Sequence, residues 1–370
     1  MGAILQYGNE SEENAEDVLT WIDGTIREGI KDVYLQYYEL LPESALLFTA
    51  VEKANQFLKS SIEDSISNHI CSNTYGRPLI LISAVASNSD LGRKIEFTYC
   101  TKLHMHDKKN MSTRAIDFPI IAEYYIEKGW LIARAKPRSN LYEYNPDGFN
   151  IEKATSTSTD KLVKKVFSSI DHILRFQRLD GQYSSAVLKN RLFNLLDKYT
   201  ATPEEIKDVM AAKTDTISEM ARTLKTVCAV PELMHKDVDN DILNLVEEYL
   251  SINWPEKEVF IKDRDAYPVK LLATDEEESK VEQTAALRDP LQTKAIFFDN
   301  KKMLYKNRSC DGLVLECKRM ITEYFPKNTF SVRISINYKG DCLFKFTEYT
   351  SKEDIESVIY SIIGVDGDVK

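Results

Sequence analysis

The chain is poor in the features that mark export, metal clusters and nucleotide hydrolysis. Its six cysteines, at 71, 100, 228, 310, 317 and 342, form no CxxC couple. That spacing argues against a zinc ribbon and against a small disulfide-stapled secreted scaffold, so reduced thiols in a cytoplasmic protein are expected. No apolar run approaches the ~18 to 20 residues of a bilayer crossing, and residues 1–14 are acidic where a signal peptide would be basic and then apolar. A soluble, unexported protein without membrane contact is expected. Basic residues are outnumbered, 48 Lys+Arg against 58 Asp+Glu, and the net charge of −10 disfavours coating nucleic acid or an anionic membrane with the whole surface. A local basic patch remains open. The phosphate-cradling Gly loop, the dinucleotide fingerprint, the Gly-x-Ser-x-Gly elbow and the HExxH helix are all missing, which removes weight from the common nucleotide-dependent and zinc-peptidase classes.

What is present is ordinary globular composition, 43% hydrophobic and 29% charged, in a chain of 370 residues long enough for two or three packed units. Residues 10–23 hold six acids and no base, and Val18, Leu19, Ile22, Ile26 and Ile30 share a helical stripe. A second helical pattern runs from Ser44 to Ile66. From Pro78 to Tyr144 the period becomes two, as in Ile95, Phe97 and Tyr99, which predicts an antiparallel meander over 79–85, 94–99, 118–126 and 130–136. Lys161 to Trp254 returns to helical spacing, with Leu188, Leu192, Leu195 and Leu196 on one face and a start signal at Thr202-Pro203-Glu204-Glu205. The last third reads as strands at 259–262, 294–299, 313–318, 330–338 and 342–349, a hairpin turn at Lys339-Gly340, and a C-terminal helix opened by Thr350 and Glu353. Asp275 to Glu282, with five acids in eight residues, reads as a solvated loop. The expected class is α+β: antiparallel β-meander regions flank a central helical bundle, and the C-terminal region is β-rich. The expected divisions are 1–150, 151–255 and 256–370.

Four constellations carry chemistry. Trp130, Arg134, Lys136 and Arg138 lie two or four residues apart along a strand, so they share one face: an aromatic beside a row of cations suits a phosphate backbone with stackable bases, or protects an edge strand. Pro203 to Cys228 has the apolar order of two short helices joined at a corner, superficially a helix-turn-helix, but the turn lacks Gly and Asp215 and Glu219 would face phosphates. His104, His106 and Asp107 could share a metal or form a polar hairpin tip. Finally, Asp299, Glu316 and Lys318 follow an order of strand, acid, Glu-x-Lys strand and short helix. Over residues 294–338 this resembles the restriction-endonuclease-like core, and the resemblance implies Mg²⁺ between the two carboxylates with Lys318 activating water. The segment Arg93 to Tyr144, with Gly129-Trp130-Leu131, faintly resembles the small β-barrel of WYL domains, sensors of ligands or nucleic acid, though without that triplet's Tyr.

The leading expectation is a nucleic-acid-binding protein that acts by binding, through Trp130, Arg134, Lys136 and Arg138 with Lys301, Lys302, Lys306 and Arg308. The alternatives are an Mg²⁺-dependent nuclease using Asp299, Glu316 and Lys318, and a protein-interaction subunit of a larger complex. No cofactor is assigned.

Overall fold

Alternation is plainest around Ile95, Phe97 and Tyr99, and there the backbone runs as one strand of 16 residues. The computed structural model describes residues 6–26, 28–60, 70, 79–177, 180–274 and 280–364. They build a mixed α+β fold in two units, Met1–Ser185 with Asn337–Asp366, and Ala186–Ile336.

The first unit opens with helix α1 (Glu12–Ile26), strands β1 (Lys31–Tyr37) and β2 (Glu39–Leu40), and helices α2 (Pro42–Ala45) and α3 (Val51–Lys59). Strands β3 (Ile80–Ser89), β4 (Gly92–Asp107), β5 (Ser112–Tyr125), β6 (Trp130–Ala135), β7 (Leu141–Glu143) and β8 (Ser156–Thr157) follow, then helix α4 (Thr159–Leu174) and strand β9 (Phe176–Gln177). Helix α5 (Gly181–Thr200) leads into the second unit. This contains helices α6 (Glu204–Ala212), α7 (Thr214–Val227) and α8 (His235–Asn253), strands β10 (Ala266–Thr274) and β11 (Lys280–Thr284), helix α9 (Ala295–Asn307), and strands β12 (Gly312–Lys318) and β13 (Thr329–Ile336). Strand β14 (Cys342–Phe346) and helix α10 (Lys352–Ile363) complete the first unit.

In the first unit the antiparallel order is β14, β1, β6, β5, β4, with β3 and β7 both on the far side of β4. One face of this sheet carries Leu131, Ala133, Ala122, Tyr124 and Phe97 against Leu162, Val166, Phe167 and Ile170 of α4. The other face carries Val33, Trp130, Ile132, Glu123, Tyr125 and Arg134, as the registers require. It meets α10, whose Tyr360 hydroxyl lies 3.1 Å from that of Tyr125 and whose Glu356 reaches Arg134. A helix on each face leaves β6 buried along its whole length. The turn after β13 uses Gly340 at φ 79°, where a Cβ would come within 2.7 Å of the Ser184 Cβ.

The second unit has its own antiparallel sheet, β11, β10, β12, β13. Leu271, Leu313 and Ile334 pair across it on one buried face. Helices α7 and α8 enclose a small cluster of Ile217, Ala221 and Ile242.

Several expectations are corrected. The helices of 159–253 do not form one central bundle, because the apolar stripe of α4 covers the first unit's sheet. Residues 294–299 begin helix α9, and 257–260 form a 3₁₀ turn where a strand was expected. The C-terminal capping box is Ser351 with Asp354, one residue later than expected, since the Thr350 hydroxyl donates instead to the Gly29 carbonyl at 3.2 Å. Strands β1 and β10 were not expected. The helical reading of 61–66 and residues 275–279 of the expected acidic loop lie outside the described residues, and the rest of that loop, Lys280 to Glu282, is instead the start of strand β11.

Candidate interaction surface

Arg134 does not reach solvent. It is 5% exposed, and its guanidinium lies 2.5 Å from Glu123 and 3.3 Å from Glu356. Glu123 also receives Lys94 at 2.7 Å. Burial raises the affinity of the Glu123 carboxyl for a proton, but the two cations outweigh it and hold the pKa below its ordinary value. Trp130 is fully buried, its ring 4.9 Å from that of Tyr37. The row expected on one solvent face is therefore divided: Trp130 and Arg134 are interior, and Lys136 and Arg138, beyond the strand's end, are exposed. The strand registers put Trp130 and Arg134 on one face, and helix α10 meets that face at Arg134.

The second cationic set lies on and just after α9. Lys301 pairs with Glu247 at 2.6 Å, and Lys302 with Asp241 at 3.2 Å. Lys306 follows on the same helix, and Arg308 ends it at φ 46° with its guanidinium 5.8 Å from the Phe193 ring. Lys301 is half-buried in the packing of α8 and α9, whereas Lys302, Lys306 and Arg308 are exposed.

Asp299, Glu316 and Lys318 have separate surroundings. Asp299 is exposed on α9, close enough to Glu248 to help burial raise that carboxyl's pKa. Glu316 is 3% exposed on β12 and is met by Arg288 at 3.0 Å. Lys318 donates to the Ile261 carbonyl at 2.7 Å. Asp299 thus stands on a helix where the resemblance required a strand end. His104 and His106 are buried and stack on Phe149 and Tyr144, so the expected polar tip is an aromatic cluster, with Asp107 tying the following turn through the Lys109 amide at 2.8 Å. Among the described residues no three His, Cys, Asp or Glu side chains are grouped to hold a metal ion.

A different surface emerges in the second unit. The expected helix at 319–325 is a loop joining β12 to β13, closed by Arg319 N–H to the Asn328 carbonyl at 2.8 Å and by reciprocal backbone bonds between Thr322 and Phe325 at 3.0 and 3.2 Å. Arg319 lies across the Phe325 ring, 4.7 Å from its centroid. This folded base holds Met320, Ile321 and Tyr324 outward, with 84%, 65% and 85% of their surfaces exposed. Three large apolar side chains on one hydrogen-bonded loop is an unusual allocation, because folding gains nothing from them.

Two concavities lie in the same unit. One, about 430 Å³, is lined by charges of both signs that neutralise one another, including Lys207 with Glu204 at 2.7 Å and Lys262 with Glu205 at 3.7 Å. The other is a groove of about 500 Å³ between α8 and α9, with Asp237, Asp241 and Leu243 on one wall and Lys301, Lys302 and Tyr305 on the other. The sequence signal for the loop was available but ambiguous: Met320, Ile321 and Tyr324 satisfy helical spacing as well as they satisfy a turn that ends at Pro326.

No family model, curated protein or solved structure matches the chain.

Proposed function

We propose that the chain is a protein-interaction subunit that acts by binding, with the loop 319–328 as its principal contact. The supporting observation is the exposure of Met320, Ile321 and Tyr324 on a loop whose backbone is already hydrogen-bonded. Burying a large apolar side chain is worth roughly 1.5 to 3 kcal/mol, and a preformed loop loses less conformational freedom when a partner covers it. Met and Tyr are also enriched at the centres of interfaces. A nucleic-acid reading retains Lys136 and Arg138 as exposed cations on the first unit and Lys302, Lys306 and Arg308 on the second, but Lys302 is paired with Asp241, and phosphate affinity grows with the number of cations gathered in one place.

The test is a photo-crosslinking residue at Ile321 in the cell of origin, with Lys108, another exposed turn residue, as control. A discrete protein adduct at 321 and none at 108 is expected. Equal labelling at both, or a labelled-RNA or labelled-DNA shift abolished by Lys136→Ala/Arg138→Ala, would overturn the reading and move the function to nucleic acid.

A further inference from the structure

We infer that the groove between α8 and α9 is a binding site for a neutral, polyhydroxylated small molecule of the class of a hexose. The groove shares no residue with the loop 319–328, so it adds a ligand to the interaction reading without depending on it. One wall is built by α8, where Asp237, Asn240, Asp241 and Asn244 follow one another at i, i+3, i+4 and i+7 and therefore share a face. Acid and amide alternate along that face. Across from it, α9 presents Lys301, Lys302 and the ring of Tyr305.

The two walls are tied together. Lys301 crosses to Glu247 at 2.6 Å in a largely buried pair, and Lys302 reaches both carboxylate oxygens of Asp241 at 3.2 Å. Tyr305 is fixed as well: its ring meets that of Phe193 edge-on at 5.4 Å and its hydroxyl donates to Asp197, yet 42% of the residue stays exposed. Leu243 on the α8 wall is exposed to the same degree. The groove thus offers a held apolar platform facing a row of polar groups, in a volume of about 500 Å³ that suits a small molecule. A site whose walls are already set loses less freedom when it is filled.

Charge selects the ligand. Both lysines already face carboxylates, so an anion would find no uncompensated cation, and Asp237, which has no ion pair among the described residues, would repel it. A cation would meet two ammonium groups. What remains unspent is hydrogen-bonding capacity: the Asp237 carboxylate accepts, and the side-chain amides of Asn240 and Asn244, which have no partner among the described residues, each donate and accept. A ring of hydroxyls matches that set, because every hydroxyl does both, and the C–H face of the same ring can cover Tyr305 as apolar surface. A wholly apolar ligand would instead strip water from these groups without replacing it, at a cost of about 1 to 3 kcal/mol for each.

Saturation-transfer difference NMR on the purified full chain tests this, with D-glucose, D-galactose, D-mannose and N-acetyl-D-glucosamine as probes. At least one of them is expected to receive saturation and to titrate with millimolar affinity. Asn240→Leu and Asn244→Leu should each weaken that affinity about tenfold, the loss of one well-placed hydrogen bond, while the urea midpoint stays where it was. Asn240 is an exposed helix residue, so its variant folds even if Asn244→Leu does not. The charge argument has an arm of its own: the 6-phosphate of the sugar that binds should bind more weakly than the sugar itself, and Asp237→Asn should narrow the gap. No saturation of any of these sugars, variants that bind as the wild type does, or a phosphate that binds more tightly than its parent sugar would each overturn the inference. None of these results moves the crosslink at Ile321, so the groove and the interaction reading stand or fall separately.

Discussion

Strand β6 and the loop after β12 draw on the same mixture of aromatic, aliphatic and basic residues, yet they present opposite members of it to water. In Trp130 to Ala135 every residue is buried and the one cation is enclosed by carboxylates. In the loop the apolar residues Met320, Ile321 and Tyr324 are outside, and Arg319 is folded back on Phe325 and Phe330. Side-chain chemistry alone does not decide exposure. What decides it is how many layers cover the backbone: β6 has α4 on one face and α10 on the other, while the tip of the loop has neither.

The comparison breaks most sharply at Glu123. Replacing it with Ala leaves the Arg134 guanidinium in a dry site with only Glu356 at 3.3 Å, and removing one partner of a buried pair costs about 3 to 5 kcal/mol. Urea denaturation should show that loss, and Glu123→Leu with Arg134→Met should recover much of it, because apolar replacement of both partners removes the desolvation cost. A loss below about 1 kcal/mol for Glu123→Ala would mean that water reaches the network, and the contrast with the loop would vanish.

A second test uses pH at Lys31, on the same buried face. Burial, then the nearby Lys136 and Arg134, push its pKa down to about 8. Below that value Lys31 is charged in both states, and the folded protein carries the cost of enclosing it. Between about 8 and the ordinary lysine value the unfolded chain binds the extra proton, so stability rises with pH across this window. Relative to Lys31→Met, the wild type should gain on the order of 1 to 3 kcal/mol from pH ~8 to ~10.5. A difference that stays flat would place Lys31 in water.

How far the sequence could be read follows from the same contrast. Local period was enough for β4 to β6 and for the stripe Leu188, Leu192, Leu195, Leu196, all buried in α5. It was enough for β12 to β14 to within a few residues. It failed where the deciding partner is distant. Arg134 is covered by Glu356, 222 residues later, and no spacing within β6 encodes that. Strand β10 contains Pro268, which argues against a strand, but the register shifts between Pro268 and Lys270 and the bulge accommodates it. The run Ile296-Phe297-Phe298 reads as a strand when short, whereas in α9 Phe297 and Leu304 are buried two turns apart. Of the candidate residues, the period of two revealed the common face of Trp130 and Arg134 but not its cover, and no candidate site included Met320, Ile321 or Tyr324, the exposed large apolar residues of the loop.

The smallest expected effect is also the one that separates the two regions by function. Tyr324 and Tyr125 are the same residue in opposite surroundings: one has 85% of its surface in water, and the other is fully buried with its hydroxyl 3.1 Å from that of Tyr360. Tyr125→Ser removes a packed ring and leaves a cavity, a change of several kcal/mol. Tyr324→Ser removes a ring that touches little in the free chain, so urea midpoints should change by less than about 0.5 kcal/mol, as for other open surface sites. The same substitution should remove most crosslinking at Ile321, because the ring's contribution appears only when a partner covers it. Measured together, unchanged stability with lost crosslinking assigns Tyr324 to binding. A stability loss comparable to that of Tyr125→Ser would instead make the loop a part of the core, with its exposure lost in solution and the contrast with β6 along with it.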